Sequence, residues 1–442
     1  MLVANKRHRP VSVRKMSLTR PITLVRALPA RAGNAGDGVP VPARGAVHTA
    51  ILVLVWITFA ISSFVFSEPA PVDALLAGLA VLLPAAGLVA LTPALRVYIA
   101  LWSVAAACGF LAATLSRDIA GSTVFTAVSL YLYIASFMLA GFVARAPERH
   151  SRLILSGWLV AALIAAATAI AGYFNLFPGA HDLFTKFERA TGTFKDPNVF
   201  GPFLVAPFLY ALHLILDRPF HRMLGPVLAA VFLALGVLLS FSRGAWINLV
   251  VALVIYGGLA YVTAASSRQR DKIASLVLAG SALVALLTAA VLHDDQIGAF
   301  LTERASVTQS YDEGPAGRFG GQQKAIRLIL ENPFGIGAGQ FTSVYHTEEV
   351  HNVFYSMLLN AGWLGGLTYW LMTGLTVAIG FRHVLRATQA RPLFLIALAA
   401  FIATAAEGIV IDTDHWRSFY ILMAMVWGMS SSPFNERARA GA

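Results

Sequence analysis

The chain contains many apolar runs that are long enough to cross a membrane as helices. A transmembrane helix needs about 20 predominantly apolar residues in a row. Hydrophobic residues make up 57% of the sequence and charged residues 12%, whereas about a quarter of a soluble domain is charged. Because the runs show no strand-like alternation, they predict helices rather than a transmembrane barrel. The predicted fold class is therefore an all-α polytopic membrane protein.

Apolar runs bounded by charged residues predict about twelve transmembrane helices. With twelve spans, both termini lie on one side of the membrane. A cytoplasmic N-terminus then places most short loops rich in Lys and Arg in the cytoplasm, as the positive-inside rule requires. The predicted spans are 47–66, 72–91, 95–114, 122–144, 153–177, 199–216, 223–241, 245–264, 273–292, 353–380, 393–411 and 416–431.

This topology defines the predicted domains. Residues 1–46 form a disordered basic cytoplasmic tail, residues 47–431 the transmembrane domain, and residues 432–442 a cytoplasmic C-terminal tail. Two long loops, 178–198 and 293–350, face the opposite side, and the second precedes the tenth span. The Arg-rich, acid-free start of the chain also suits a transit peptide.

Several cations fall on the outer side, against the charge bias that orients the protein. A cation in that position needs another explanation, such as an anionic ligand or an acidic partner. These residues are Lys186, Arg189, Lys195, Arg243, Arg304, Arg318, Lys324, Arg327 and Arg417.

The first of three motifs, RATGTFKDPNVFGPF, lies in the first outer loop. Its glycine and its Asp-Pro-Asn tripeptide predict a turn, after which Asn198 is expected to cap a helix. Arg189 and Lys195 lie near that helix start, where free N–H groups attract anions. A capped helix with snorkelling cations explains the motif equally well.

The second motif, SFSRGAW, forms a tight turn between two nearly continuous spans. An arginine at this place is costly unless it is paired or faces water, and the turn contains no acidic residue. The planar guanidinium of Arg243 suits bidentate binding of a phosphate. The alternative is an interfacial arginine that fixes the hairpin together with Trp246.

The third motif runs from GRFGGQQKAIRLILENPFGIGAGQF to EEVHNVF. Residues 317–331 predict an amphipathic helix, which Asn-Pro and a run of glycines end. No strand–helix unit surrounds GIGAGQF, so the segment predicts a tight backbone turn and not a nucleotide-binding loop. The residues expected to make the apolar contacts of the helix are Ala325, Ile326, Leu328, Ile329 and Leu330.

His351 follows at the start of the next span and is the candidate general base. We expect neighbouring cations and the helix N-terminus to favour the neutral form of its imidazole, which accepts a proton. A capping or interfacial histidine is the alternative. In NAGWLGG, further along this span, the glycines predict a bend or a close packing contact.

The three motifs resemble those of the O-antigen ligase and Wzy-type polysaccharide polymerase superfamily. The resemblance rests on RATGTFKDPN, SFSRGAW, GRFGGQQKAIRLILENPFGIGAG and HNVFYSMLLNAGWLGG, in the family's order, and covers residues 95–430. It implies a GT-C-like glycosyltransferase with a periplasmic active site in the bacterial inner membrane. Such enzymes transfer a glycan from an undecaprenyl-diphosphate carrier to an acceptor hydroxyl. The acceptor is lipid A–core in the ligases and another carrier-linked glycan in the polymerases.

The resemblance also implies roles for particular residues. Arg189 and Arg243 match the family's diphosphate-binding arginines, and Arg318 matches a further arginine of the outer loop. His351 matches the catalytic histidine. The resemblance implies an inverting reaction without metal or other cofactor and without a nucleic-acid partner. The residues expected to support the site are Lys195, Asn198, Asn352, Asp412 and Arg417.

The segment IDTDHWR contains the D-x-D spacing with which many glycosyltransferases hold a divalent cation. Two carboxylates, Asp412 and Asp414, do not define a metal site. A salt bridge to Arg417 or to an active-site arginine explains them equally well.

The motifs do not separate ligase from polymerase. O-antigen ligation, a step of lipopolysaccharide biosynthesis, is the first hypothesis, and exopolysaccharide-type polymerisation is the second. A twelve-span transporter or lipid flippase is the alternative from a different class. Transporters usually carry their binding groups near the bilayer midplane, whereas these spans are poor in ionisable residues apart from Glu407.

Overall fold

The described residues from Ala46 onward form one compact unit. The predicted tails fall almost entirely outside the residues whose structure is described, and so does most of the first half of the outer loop 293–350, including Arg304. The residues that a computed structural model of the chain describes are 41–292, Gly314 and 317–432, without the side chains of 41–44 and 283–292.

The described residues are mostly helical. A 3₁₀ turn, Phe220–Arg222, and a π-helical turn, Phe341–Tyr345, connect longer helices. The α-helices are α1 (Val41–Ala60), α2 (Pro71–Ala85), α3 (Pro93–Thr114), α4 (Ile119–Arg145), α5 (Pro147–Tyr173), α6 (Ala180–Phe184), α7 (Pro197–Phe203), α8 (Val205–Asp217), α9 (Leu224–Leu239), α10 (Arg243–Val262), α11 (Ser267–Leu292), α12 (Arg318–Glu331), α13 (Val353–Val384), α14 (Arg391–Glu407) and α15 (Arg417–Ser430).

Each of the twelve predicted spans lies on one or two of these helices. The prediction of an α-helical, polytopic membrane protein is therefore confirmed, while the number of twelve spans and the GT-C-like arrangement stay predictions. Two apolar helices, α2 and α9, are shorter than a full span. Within the described residues, six helical segments are long and apolar enough to cross a membrane: Pro93–Thr114, Ile119–Arg145, Pro147–Tyr173, Pro197–Asp217, Arg243–Val262 and Val353–Val384.

Contacts join the loops that the charge pattern places on the outer side. The N–H of Val65 donates to the carbonyl oxygen of Thr193 at 2.9 Å. The N–H of Arg117 donates to Oε1 of Gln340 at 3.1 Å. The loops after α1, α3 and α5 therefore meet one another and the segment before α13, as their predicted common side requires.

Contacts also join the loops that are predicted to face the cytoplasm. Nζ of Lys272, at the start of α11, donates to the carbonyl oxygen of Leu216 in α8 at 2.8 Å. The guanidinium of Arg391, at the start of α14, donates to the carbonyl oxygen of Thr263 at 3.1 Å. Basic residues of this set therefore bind the C-terminal ends of neighbouring helices, where cations are favoured.

The outer loop 178–198 contains regular structure that the all-α prediction misses. It holds α6 and an antiparallel pair of short strands, β1 (Thr185–Lys186) and β2 (Arg189–Ala190). Phe187 and Glu188 form the turn with φ of 55° and 56°, as a tight hairpin turn requires. Strands of two residues leave too little alternation in the sequence to be predicted.

Helix α13 is interrupted at Gly362, which has φ of 68° and ψ of −177°. In a continuous helix, the N–H of Trp363 would donate to the carbonyl oxygen of Leu359. Here Leu359 accepts from the N–H of Ile336 at 2.8 Å, and Trp363 donates to the carbonyl oxygen of Pro333 at 2.9 Å. The segment Pro333–Ile336 thus supplies both partners of the missing helical bond. We call this arrangement the helix splice.

The helix splice requires glycine on both sides. A Cβ on Gly335 would lie 2.6 Å from the amide nitrogen of Gly362, and a Cβ on Gly362 would lie 2.6 Å from the carbonyl carbon of Phe334. The turn predicted in GIGAGQF and the bend predicted in NAGWLGG are therefore confirmed as one feature. At about 1.5 Å per residue, Trp363–Val384 alone is long enough to cross about 30 Å of hydrocarbon.

Candidate active site

The side chain of Arg189 joins the first two motifs. Arg189 is buried, and its Nε donates to the carbonyl oxygen of Ser240 at 2.8 Å. Its Nη2 donates to Oδ1 of Asn198 at 2.7 Å. Ser240 begins the segment Ser240–Arg243, which we call the arginine turn. The structure therefore brings the predicted residues of the first outer loop against the turn that carries Arg243.

Asn198 does not cap the helix that follows it, so this prediction is wrong. Helix α7 begins at Pro197, and the carboxylate of Asp196 is the cap, accepting from the N–H of Asn198 at 2.7 Å. Proline suits the first position of a helix because its missing N–H would have no helical partner. The cap therefore lies before the proline, and the amide oxygen of Asn198 binds Arg189 instead.

The arginine turn forms the predicted tight hairpin between α9 and α10. Phe241 has φ of 44°, and the hydroxyl of Ser242 caps α10. The indole N–H of Trp246 donates back to the carbonyl oxygen of Val237 at 3.2 Å. Arg243 is the half-buried first residue of α10, and its cation adds to the N–H groups that attract anions at a helix N-terminus.

His351 lies in the segment Val350–Asn352, which we call the histidine turn. It has φ of 52°, a left-handed conformation that costs a non-glycine residue about 1–2 kcal/mol. Its N–H donates to Oδ2 of Asp412 at 3.0 Å. The cap of α13 is Asn352, whose Oδ1 accepts from the N–H of Phe354 at 3.1 Å. Because the cap is Asn352, His351 is not a capping histidine.

Two carboxylates lie in contact with His351. Nε2 of His351 lies 3.9 Å from Oε2 of Glu348, and the hydroxyl of Ser356 donates to Oδ1 of Asp412 at 2.5 Å. Burial raises the pKa of Asp412 to about 6, and Asp414 adds to the rise. The expectation that neighbouring cations favour a neutral imidazole stays a prediction. A carboxylate beside the ring stabilises the imidazolium that forms once the ring has accepted a proton.

Further acids lie buried behind the histidine turn. Burial raises the pKa of Glu349 to about 7, and Asp412 and Asp414 add to this rise. Burial also raises the pKa of Asp414 to about 6. Neighbouring buried carboxylates disfavour one another's charge. Burial and mutual repulsion therefore hold the pKa of each of these carboxyls above its ordinary value.

The end of α14 lies between the helices that follow the two turns. The N–H of Val353 donates to the carbonyl oxygen of Gly408 at 2.8 Å. Nδ2 of Asn248 donates to Oε2 of the buried Glu407 at 2.7 Å. A Cβ on Gly244 would lie 2.6 Å from Oε1 of Glu407. The pair Glu407–Gly408 thus touches the first turn of α10 on one side and the start of α13 on the other.

Helix α12 reaches the histidine turn from the outer loop. Nε2 of Gln322 donates to the carbonyl oxygen of Val350 at 3.4 Å. Arg318 is the first residue of α12. It lies one turn before Gln322 and therefore on the same side of the helix. The structure thus places the helix that begins with Arg318 against the turn that carries His351.

Two of the supporting cations have acidic partners. Arg417 binds Asp73 through Nε and Nη2 at 2.6 Å each, the fork geometry that suits a carboxylate. Nζ of Lys195 lies 3.8 Å from Oε2 of Glu68. Arg417 is therefore paired with Asp73 and not with the D-x-D carboxylates. These partners explain why the two cations lie on the predicted outer side.

The D-x-D segment accepts hydrogen bonds from other residues of the protein through the side chain of Asp412 and the main chain of Asp414. Besides the bonds to Asp412, the hydroxyl of Tyr420 donates to the carbonyl oxygen of Asp414 at 2.7 Å. Within residues 41–292 and 317–432, no three His, Cys, Asp or Glu side chains are grouped to hold a metal ion.

Sequence reasoning missed three residues of this site. Ser356 lies one turn after Asn352 on α13, so helical spacing alone would have placed it on the same side. Glu407 stands out as an ionisable residue in an apolar run, a signal of function in membrane proteins. Gly408 contributes only a carbonyl oxygen, and no sequence signal points to it.

Comparison with known proteins extends this description. No curated protein matches the chain at a significant level. The model of the O-antigen ligase family (Wzy_C) matches residues 228–370. The match includes the arginine turn, α12, the helix splice and His351, while Arg189 and Asp412 lie outside it. The resemblance that the motifs predict is confirmed over residues 228–370, which are similar to the O-antigen ligase family and consistent with the O-antigen ligase and Wzy-type polymerase superfamily.

Proposed function

We propose that the protein transfers a glycan from an undecaprenyl-diphosphate carrier to a sugar hydroxyl at the periplasmic face of the bacterial inner membrane. The first candidate reaction is ligation of O-antigen to lipid A–core. The main support for the proposal is that the arginine turn and the histidine turn both lie beside the end of α14. The helices that follow the arginine turn and the histidine turn both contact Glu407–Gly408.

The arginine turn suits the diphosphate of the donor. Arg243 begins α10, where its guanidinium adds a full charge to the anion-attracting helix N-terminus. Arg189 contributes a second guanidinium and holds the turn through the carbonyl oxygen of Ser240. Arg318 is the third proposed diphosphate ligand, because it begins the helix that reaches the histidine turn.

His351 suits the acceptor. In the proposed reaction, the acceptor hydroxyl gives its proton to the imidazole while its oxygen bonds to the anomeric carbon. The bond between that carbon and the diphosphate oxygen breaks, and the diphosphate leaves with the electron pair. The arginines stabilise its charge. Direct displacement inverts the anomeric centre.

Asp412 serves as a positioning residue for His351. Its carboxylate accepts the main-chain N–H of His351 and the hydroxyl of Ser356. It thereby fixes the turn and places a negative charge near the imidazolium that forms during transfer. Asn352 supports the same turn by capping α13.

The polymerase reaction uses the same donor chemistry and is the second candidate. The acceptor distinguishes the two: lipid A–core for a ligase and a carrier-linked glycan for a polymerase. In a deletion strain, lipopolysaccharide without O-chains together with accumulated carrier-linked polymer would identify a ligase. Short glycans of a single repeat would identify a polymerase. The transporter hypothesis has less support, because the described charged groups collect at the loops and helix ends and not near the middle of the spans.

Transfer by the purified protein tests the proposal. The full chain, reconstituted with an undecaprenyl-diphosphate-linked glycan and lipid A–core or a second carrier-linked glycan, should form a glycosidic product. Arg243→Ala should lose transfer by about 100-fold or more, as for removal of a donor that stabilises transition-state charge. Arg243→Lys should recover only part, because an ammonium does not bind bidentately. Unchanged transfer by Arg243→Ala would overturn the assignment, and carrier movement across vesicles without transfer would favour the transporter.

A further inference from the structure

Helix α12 has two apolar faces, of which only one is packed against the protein. The inner face includes Ala325, Leu328 and Ile329, which are buried with Phe341 and Val350 in a separate hydrophobic cluster. This face carries three of the five predicted apolar contacts. The other two, Ile326 and Leu330, are exposed in the described part of the chain, so their predicted apolar contacts stay a prediction.

The exposed apolar residues of α12 form a stripe. Phe319, Ile326 and Leu330 are spaced by seven and four residues, which places them on one side of a helix. Phe334 extends the same surface just beyond the helix. The exposed fractions of Leu330 and Phe334 reach 68% and 64%. We call these four residues the apolar stripe, and nothing in the described part of the chain covers it.

The apolar stripe ends at the membrane-crossing part of α13. The indole N–H of Trp363 donates to the carbonyl oxygen of Ile329 at 2.7 Å, and its main-chain N–H donates to Pro333 in the helix splice. Trp363 begins the half of α13 that is long enough to cross the bilayer. The next exposed residues on that half are Leu364 and Leu367. The stripe therefore continues into a helix surface that faces lipid.

A cation lies beside the apolar stripe. Arg327 is exposed on α12, and helical geometry places it on the flank of the stripe, whereas the exposed Lys324 lies further round the helix, towards the packed face. Nζ of Lys324 donates to the carbonyl oxygen of Tyr345. A helix with an apolar side and a cation at its edge suits a membrane surface with phosphate groups. A tryptophan at the end of the stripe also matches the preference of this residue for the bilayer interface.

We propose that α12 lies in the outer interface of the bilayer, with the apolar stripe in lipid and Arg327 at the level of the lipid phosphates. The occupant of the stripe is thus the lipid itself. Because Gln322 of α12 binds the carbonyl oxygen of Val350, this placement sets the height of the histidine turn above the membrane. The inference concerns membrane placement alone and does not depend on the proposed reaction.

Depth measurements in the full-length protein test this placement. A fluorophore is attached to Ile326→Cys in a Cys108→Ala background, and the protein is reconstituted in phosphatidylethanolamine–phosphatidylglycerol vesicles. The matched control is Glu331→Cys, an exposed polar position on the same helix. Lipids brominated near the top of the acyl chain should quench the label at 326 several-fold more than the label at 331. Aqueous iodide should show the reverse order.

Two results would overturn the proposal. Equal quenching of both labels by iodide would mean that the stripe faces water. Protection of the label at 326 from both iodide and brominated lipid would mean that protein covers it, either residues 293–313 or a second copy of the chain. Dilution with unlabelled protein would then distinguish protection by residues 293–313 from protection by a second copy of the chain. Thermal midpoints that match the unlabelled Cys108→Ala protein would show that labelling leaves the fold intact.

Discussion

The arginine turn and the histidine turn share a construction but place their charged residue differently. In the first, Phe241 has a positive φ and Ser242 caps the helix. In the second, His351 has a positive φ and Asn352 is the cap. In the arginine turn, the residue with the left-handed backbone is the buried Phe241, and the charged Arg243 is the first residue of the helix that follows. The left-handed residue of the histidine turn is itself ionisable.

The two turns are held in place by different kinds of contact. The arginine turn is held by the buried side chain of Arg189, so the same residue serves packing and charge. The histidine turn is held through the main-chain N–H of His351, by Asp412. Backbone strain at a functional residue persists only where surrounding contacts maintain it. Substitutions in the arginine turn should therefore change stability and transfer together, whereas substitutions of His351 should change transfer alone.

The largest effect is expected for His351→Asn. Asparagine tolerates the left-handed conformation but does not accept the proton, so transfer should fall by about 100- to 10,000-fold. The thermal midpoint and donor affinity should stay near the wild-type values. Rates and donor binding are measured on the same purified protein. In His351→Gly, added imidazole should restore part of the transfer, and wild-type rates in His351→Asn would rule out His351 as the base.

A smaller effect on transfer, together with loss of stability, is expected for Arg189→Lys. A lysine ammonium does not span both Ser240 and Asn198, and losing hydrogen bonds to a buried charge costs about 1–3 kcal/mol. Thermal denaturation in detergent should show a lower midpoint, and the KM for the donor should rise. The matched control is Lys195→Arg, since its exposed pair with Glu68 contributes about 0–1 kcal/mol. Equal effects of both substitutions would remove the distinction between the buried and the exposed cation.

An intermediate loss of kcat, about tenfold, is expected for Asp412→Asn, because hydrogen bonding persists while the charge near the imidazolium is lost. Because burial raises the pKa of Asp412 to about 6, wild-type transfer should fall as pH drops through this value. In Asp412→Asn the acidic limb of the pH–rate profile should move to lower pH, because this carboxyl no longer titrates and no longer stabilises protonated His351. Ser356→Ala controls for loss of the hydroxyl contact alone and should keep the wild-type profile. A profile that is identical in Asp412→Asn would contradict the role of this charge.

The smallest expected effect is on stability as a function of pH. Glu349 and Asp412 have pKa values of about 7 and about 6, above the ordinary values of these carboxyls. Between the ordinary and the raised values, the folded protein holds protons that the unfolded chain releases, so the free energy of unfolding falls as pH rises. The midpoint of the wild type relative to that of Glu349→Gln should therefore drop by a few degrees from about pH 4 to about pH 7. A difference between the two proteins that stays constant or rises with pH would contradict it.

The sequence predicted the features that depend on local pattern. Apolar run length located the helices, and the tight turn at Arg243 followed from two nearly continuous spans. The glycines of GIGAGQF and NAGWLGG predicted a turn and a bend, because glycine in an apolar run marks close backbone approach. His351 stood out since its imidazole directly precedes a span.

The sequence did not predict which distant residues meet. The pairing of Arg417 with Asp73 joins residues far apart in the chain, and no spacing rule relates them. Asn198 was mistaken for a cap because it precedes an apolar run, whereas the proline before it moved the cap to Asp196. The place of Glu407 between two helix starts depends on how α10, α13 and α14 pack, which only tertiary structure fixes.

The helix splice joins the outer loop to a membrane span through main-chain hydrogen bonds. Its bonds use main-chain atoms of Pro333, Ile336, Leu359 and Trp363, so side chains in the loop are free to vary without loosening the joint. Gly335 and Gly362 cannot vary in this way, because a Cβ on either residue would clash with backbone atoms of the other segment. A loop transplanted from another enzyme of this kind would therefore keep its register on the span only if Gly335 and Gly362 were carried across as a pair.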